Sequence, residues 1–303
     1  MKRSLLFLLA LISCSPILPI EAPFPAPPET TSVDGTAILR IIAIDVGQGD
    51  ATLVIGPTGQ SMLIDGGPPA IGAPKILETL RGEGIERLDR IVASHYDLDH
   101  IGGLPVVLAG LAVDAVLDRG DLTDQDLPLF FDYIDRAGPL RQQAAPGLEI
   151  PLGGGATATV VVVNGRYADG RSIHLNPDEE NESSIGLLIR YGDFEYFTAG
   201  DLTGGGTTGG AETKDLESPA GEIIGAIDIL HAGHHGSATS TNERFLELTQ
   251  PDAAVISVGK ENDYGHPTQT VLSRLEQAGA IIYRTDRDGT IEIVTDGEGW
   301  EMR

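Results

Sequence analysis

The segment SHYDLDHIGG, Ser94 to Gly103, places His95, Asp97, Asp99 and His100 within six residues. Neutral imidazole and carboxylate are the donors that borderline and hard divalent metals take. Four of them are more than one ion needs from one loop, so the spacing points to two metals sharing it. A second concentration lies in HAGHHGS, where His231, His234 and His235 fall within five residues beside a Gly-Ser turn. One such histidine is ordinarily structural, but three together point to a site. Two carboxylates stand apart from these clusters. Asp65 precedes two glycines and Asp201 closes FTAGD ahead of a Gly/Thr stretch; by residue type alone each is a turn aspartate. The only cysteine is Cys14, which leaves neither a disulfide framework nor a thiolate metal site.

These residues need elements that bring them together. LDRIVA (Leu88–Ala93) is rich in branched apolar residues and reads as a buried strand, so the four polar side chains leave a strand end together. Earlier strands are predicted over Ala37–Gly47, Ala51–Gly56 and Ser61–Asp65, with a helix over Pro74–Gly84. Leu104–Asp118 should give a helix and then a strand, Asp126–Gly138 a helix and Ala158–Val163 a strand. Ser184–Asp201 reads as a hairpin turning at Gly192–Asp193, and Thr203–Asp215 as a flexible Gly/Thr loop. Ile227–Ser237 is a strand running into the histidine-rich turn, Asn242–Thr249 a helix capped by Asn242, and Asp252–Gly259 a strand. Pro267–Gly279 is an amphipathic helix, and IIYRT and TIEIV end the sheet. Hairpins mixed with single helices suggest two packed sheets with helices outside, an α/β protein.

The N-terminus carries an address. Lys2 and Arg3 precede the apolar LLFLLALI (Leu5–Ile12), too short to span a bilayer, and residues 1–14 read as a signal peptide. LISC (Leu11–Cys14) resembles the bacterial lipobox, which implies lipidation at Cys14, export and a lipid anchor at the cell envelope. Ser15, in place of Asp, hints at the outer membrane or cell surface. Residues 15–35 hold Pro16, Pro19, Pro23, Pro25, Pro27 and Pro28 and should form an extended tether, with one folded domain over 36–303. Hydrophobic content of 41% with 39 Gly suits a globular chain with many tight turns. The net charge of −25 weighs against a stable complex with duplex nucleic acid, which normally requires a Lys/Arg surface. Oligomeric state is not legible.

IDVGQGDATLV, LIDGG, SHYDLDHIGG, NESS, FTAGD, HHGSATS and YGHP follow one another from about Ile41 to Val294. In type and order these motifs resemble the metallo-β-lactamase-fold domain of ComEC-type competence proteins and their stand-alone relatives. The resemblance implies an αββα sandwich, two mixed β-sheets flanked by helices, and two divalent metal ions. Zinc is the first expectation; manganese or iron are alternatives, because Asp97 stands where many relatives carry a second His and offers a harder ligand. It places His95 and Asp97 on one metal, Asp99 and His100 on the other, and Asp201 as a bridging carboxylate. His234 or His235 supplies a further ligand, its neighbour donating a proton or binding substrate, and His231 stays peripheral. Asp65 supports the metal-bound histidines from behind. Asn181, Ser184 and His266 border the substrate, and His174, a few residues upstream in a polar loop, could supplement the weak ligand Asn181.

The chemistry so implied is hydrolysis of a phosphoester, small or polymeric, by a metal-bridged hydroxide. Asp99 would steer the proton and one of His234 and His235 would serve as general acid. A phosphodiesterase acting on envelope material is the first reading. A surface nuclease acting on DNA and a non-catalytic, metal-stabilised envelope binding protein are its rivals, and β-lactam hydrolysis belongs to another branch.

Overall fold

The computed structural model describes residues 37–120, 128–176, 179–208 and 211–303. The expected signal peptide, Cys14 and the proline-rich tether lie outside the described residues. The chain opens with an antiparallel meander of β1 (Leu39–Ala43), β2 (Thr52–Ile55) and β3 (Ser61–Ile64). Helix α1 (Gly72–Gly82) crosses to β4 (Arg87–Ala93), and α2 (Leu98–Ile101) with α3 (Leu104–Gly110) crosses to β5 (Ala112–Asp118). Helix α4 (Pro128–Ala137) leads to the short β6 (Arg141–Gln143). Strands β3 to β6 pair in parallel, which requires such crossovers.

The second half begins with β7 (Glu149–Gly153), β8 (Ala156–Val163), β9 (Arg166–Tyr167), β10 (Gly186–Tyr191) and β11 (Phe194–Thr198). A small hairpin of β12 (Gly204–Thr208) and β13 (Ala211–Asp215) follows, then α5 (Glu217–Ile224) and β14 (Ile229–His231). The chain closes with α6 (Glu243–Thr249), β15 (Ala253–Ile256), α7 (Gln269–Ala278), β16 (Ile281–Arg284), α8 (Thr285–Asp288), β17 (Ile291–Thr295) and β18 (Trp300–Met302). One sheet runs β18-β17-β1-β2-β3-β4-β5-β6 and the other β16-β15-β14-β11-β10-β8-β7, with β9 on β8.

Alternation along the strands explains the layering, because successive side chains point to opposite faces. Ile41 packs into the core between the sheets and Ile42 into the one under the first-half helices; Tyr196 joins the central core and Phe197 the one under α5, α6 and α7. Both faces of both sheets are therefore covered, so the strands read as continuous apolar runs. The result is the αββα sandwich.

Three expectations need correction. The Gly/Thr stretch is not a loop: β12 and β13 pair antiparallel in a sheet of their own, which satisfies the backbone groups of the glycine-rich segment. IIYRT and TIEIV do not end one sheet. β16 lies at the edge of the second, whereas β17 crosses back to pair with β1 in the first. Helix α1 starts at Gly72 rather than Pro74. The Asn242 cap is present, its Oδ1 accepting the Phe245 N–H at 2.8 Å. Among the described residues no helix is long and apolar enough to cross a membrane.

Candidate metal centre

The candidate residues sit on loops that follow strand ends. Asp65 follows β3, His95 to His100 follow β4, Asp201 follows β11, and His234 and His235 follow β14. Close approach between the two halves depends on Gly200. Its φ is +51°, and a Cβ there would stand 2.5 Å from Ser94 Oγ, so only glycine brings Asp201 up against the β4 loop. His234 and His235 also occupy the left-handed region, at φ +51° and +53°. This sharp reversal sets their ring planes 71° apart and sends the two imidazoles in different directions.

Two sets of donors converge. One ligand atom from each of His95, His100 and Asp201 lies within 4.8 Å of the others, and the same holds for Asp99, His100 and His235. His100 Nε2 is 3.1 Å from Asp201 Oδ1 and 3.3 Å from His235 Nε2, while His235 Nε2 is 3.1 Å from Asp99 Oδ2. Asp201 Oδ2 lies 3.6 Å from both His234 Nε2 and His235 Nε2. Asp97 stands outside both sets, its side chain 42% exposed and Oδ2 3.6 Å from His95 Nε2. His235, not His234, joins a donor set.

The far side of each ring fixes its proton. His235 Nδ1 faces the Ser257 carbonyl at 2.9 Å, an acceptor only, so Nδ1 carries the hydrogen. His100 Nδ1 lies 2.9 Å from Asp65 Oδ2 and is a donor for the same reason. Ser94 Oγ donates to Asp65 Oδ2 at 2.6 Å, which leaves it to accept from His95 Nδ1 at 3.0 Å. In neutral rings all three Nε2 lone pairs then point inward, as metal-bound histidines require. Asp65, at φ +60°, also accepts the Ser94 N–H at 2.7 Å.

The donor set fits a divalent ion. His95 Nε2 and Asp201 Oδ1 are buried without a hydrogen-bond partner, which is costly unless something else binds them. Electrostatics agrees. Burial opposes protonation of His100 and His235, but the Asp201 carboxylate raises the first well above the usual imidazole value and the second to about 9. Burial likewise opposes charge on Asp99 and Asp201, yet the His235 hydrogen bond brings Asp99 down to about 2, and His100 holds Asp201 well below the carboxylate range. Positive charge is thus strongly favoured at the centre of the cage.

The rim is made by the remaining candidates. Asn181 Nδ2 lies 3.3 Å from His234 Nε2, and Asn181 Oδ1 and Ser184 Oγ are buried without partners. Burial depresses His234. The His266 ring packs edge-on to His234 at 5.7 Å, and burial depresses it to about 4. His174 is exposed and has no place in either donor set. His231 is buried and bonded to Tyr196 and Ser257, so it is an interior residue. Sequence reading missed Ser94, signalled only by its place beside His95, and Ser257, whose carbonyl makes the contact and leaves no residue-type signal.

The family model described as the metallo-beta-lactamase superfamily matches residues 44–260. The chain is 28% identical over 268 residues to ComE operon protein 3 of Bacillus subtilis, covering 82% of this chain and 32% of that protein. It is 30% identical over 255 residues to competence protein ComA of Neisseria gonorrhoeae, covering 82% and 31%. The chain therefore spans about a third of the length of these relatives. Among solved structures it resembles CmlA, a diiron beta-hydroxylase from Streptomyces venezuelae, at TM-score 0.51 and 15% identity, covering 81% of this chain and 52% of that one. The metallo-beta-lactamase fold protein YhfI from Bacillus subtilis matches at TM-score 0.50 and 14% identity, covering 82% and 96%.

Proposed function

The chain belongs to the metallo-β-lactamase superfamily, and from that premise we propose that it is a metal-dependent hydrolase of phosphodiesters held at the cell envelope. The observation that carries the reading is the cage, where three imidazoles with their protons turned outward face the carboxylates of Asp99 and Asp201. His95, His100 and Asp201 would hold one divalent ion, with Asp97 beside them. Asp99, His100 and His235 would hold a second, and Asp201 lies between. When bound, such ions supply Lewis acidity and polarise water and phosphoryl oxygen.

The chain's own residues supply the rest. Asp99, with Oδ2 at the cage and a partly exposed side chain, is placed to accept a proton from an attacking water. His234, outside both donor sets and kept neutral by burial, is left to meet the leaving group together with Asn181 and His266. A second reading, hydrolysis of DNA phosphodiesters, is favoured by the names of the relatives, two of them competence proteins or competence-operon products and a third called recombination protein 2. The fold alone does not choose, since CmlA places an oxidative chemistry on it.

The test is turnover of bis-p-nitrophenyl phosphate, single-stranded DNA and a phosphorylcholine ester by zinc- or manganese-loaded protein. Metal-dependent release from a phosphodiester, abolished in folded His100→Ala or Asp201→Asn, is expected. Metal bound at the cage without turnover of any of the three would favour a binding protein. For the envelope, labelling with radioactive palmitate should mark the chain and disappear in Cys14→Ser; an unlabelled wild type would contradict the anchor.

A further inference from the structure

A buried hydrogen-bond chain approaches the cage from behind. Tyr196 Oη lies 2.8 Å from His231 Nδ1, His231 Nε2 lies 2.9 Å from Ser257 Oγ, and Ser257 Oγ lies 3.2 Å from Asp50 Oδ1. Asp50 Oδ2 is also 3.4 Å from His231 Nε2. All four residues are buried. Donor inventory sets the direction of the chain. The Tyr196 hydroxyl, kept protonated by burial, donates to Nδ1. A neutral His231 then carries its hydrogen on Nε2 and donates to Ser257, whose own hydroxyl donates to Asp50. Every donor points one way, and the chain terminates on a carboxylate.

The last two residues of that chain hold the cage through their backbones. The Ser257 carbonyl accepts from His235 Nδ1 at 2.9 Å, and the Asp50 N–H donates to the Asp99 carbonyl at 3.0 Å. Asp50 lies between β1 and β2 in the first sheet, and Ser257 follows β15 in the second. The side-chain bond between them therefore ties the two sheets together directly behind Asp99 and His235, whose own side chains meet at 3.1 Å. His95 and His100 have a different support, Asp65 and Ser94.

We propose that Asp50, acting through Ser257 and His231, is the positioning residue for the Asp99–His100–His235 donor set. By fixing the separation of Asp99 and His235 it sets the affinity of that set for a second divalent ion. The His95–His100–Asp201 set does not depend on it. The inference rests on the metal-centre reading above and goes beyond it by separating the two positions.

Zinc titrated calorimetrically into the chelator-treated full chain, with metal content measured by elemental analysis, tests it. Wild type should take up two equivalents. In Asp50→Asn and in Ser257→Ala, which keeps the carbonyl but removes the hydroxyl link, the second equivalent should bind about 10–100-fold more weakly. The first should be unchanged, with an unaltered circular dichroism spectrum. Should one variant fail to fold, the other carries the test alone. Two equivalents bound as in wild type would overturn the proposal, as would equal weakening of both with a lowered Tm, the signature of general destabilisation. A wild type that takes up no zinc would instead overturn the metal-centre reading itself.

Discussion

Asp65 concentrates more of the centre's geometry than any metal-facing side chain. Its two oxygens accept from Ser94 N, Ser94 Oγ and His100 Nδ1, so one carboxylate orients both His95 and His100. In Asp65→Asn one of these acceptors becomes an amide N–H, which faces a donor. Because His100 belongs to both donor sets, both equivalents of metal should weaken by about 10–100-fold, measured by the same zinc titration. Loss of only one would mean that Asp65 supports a single position. At this scale legibility followed the chemistry of contact. His95, Asp99 and His100 were visible because they are close in sequence and of ligand type, and Asp97, visible on the same grounds, stands outside both donor sets. The choice between His234 and His235 was not, because it depends on two consecutive left-handed residues. Ser257 was invisible because a main-chain atom makes its contact.

Among the elements, the segment before β10 is pinned to the end of β5 by a buried ion pair and to the β4 loop by a hydrogen bond. Glu180 takes Arg119 Nε at 2.6 Å and Nη2 at 2.5 Å, and its Oε1 also accepts the Tyr96 N–H at 2.8 Å, inside the metal loop. The Arg119 guanidinium stacks 4.1 Å from the Tyr96 ring. Glu180→Ala would leave a fully buried guanidinium without this partner, and urea unfolding should show a loss of about 3–5 kcal/mol. A loss below about 1 kcal/mol would show that water replaces the carboxylate. Glu217 at the start of α5 offers a pH test. Burial raises it to about 8, against the pull of the Thr241 and Asn242 N–H groups, which donate to its two oxygens at 2.7 and 3.0 Å. The folded state thus keeps a proton that the unfolded chain releases near the ordinary glutamate value. Stability should fall as pH rises from about 4.5 to 8 and level off above. Glu217→Gln should flatten that slope in urea titrations, and an identical slope would contradict the assignment. No pattern in the sequence announced either network, because both join residues tens of positions apart. The β12–β13 hairpin was misread for a different reason: its glycines suggested freedom, although its pairing partner is the very next segment of the chain.

For the whole molecule, the layer architecture was legible because strands covered on both faces leave continuous apolar runs, and the crossover helices carry a single apolar face. Which strand joins which sheet was not: β17 returns to β1 across the entire chain length, and nothing local marks that choice. The net charge of −25 acts at this scale as well. It repels a polyanion over about 10 Å at moderate salt and hardly affects a monoanionic ester. Added salt should therefore raise kcat/KM for a single-stranded oligonucleotide while leaving that for bis-p-nitrophenyl phosphate nearly constant. A steep fall with salt would contradict the argument from net charge. The account as a whole requires metal between the two halves of the sandwich. Anomalous diffraction from crystals grown with zinc or manganese tests this most directly. Peaks inside the cage of His95, Asp99, His100, Asp201 and His235 are predicted, and a cage without metal in crystals that bind it elsewhere would contradict the account.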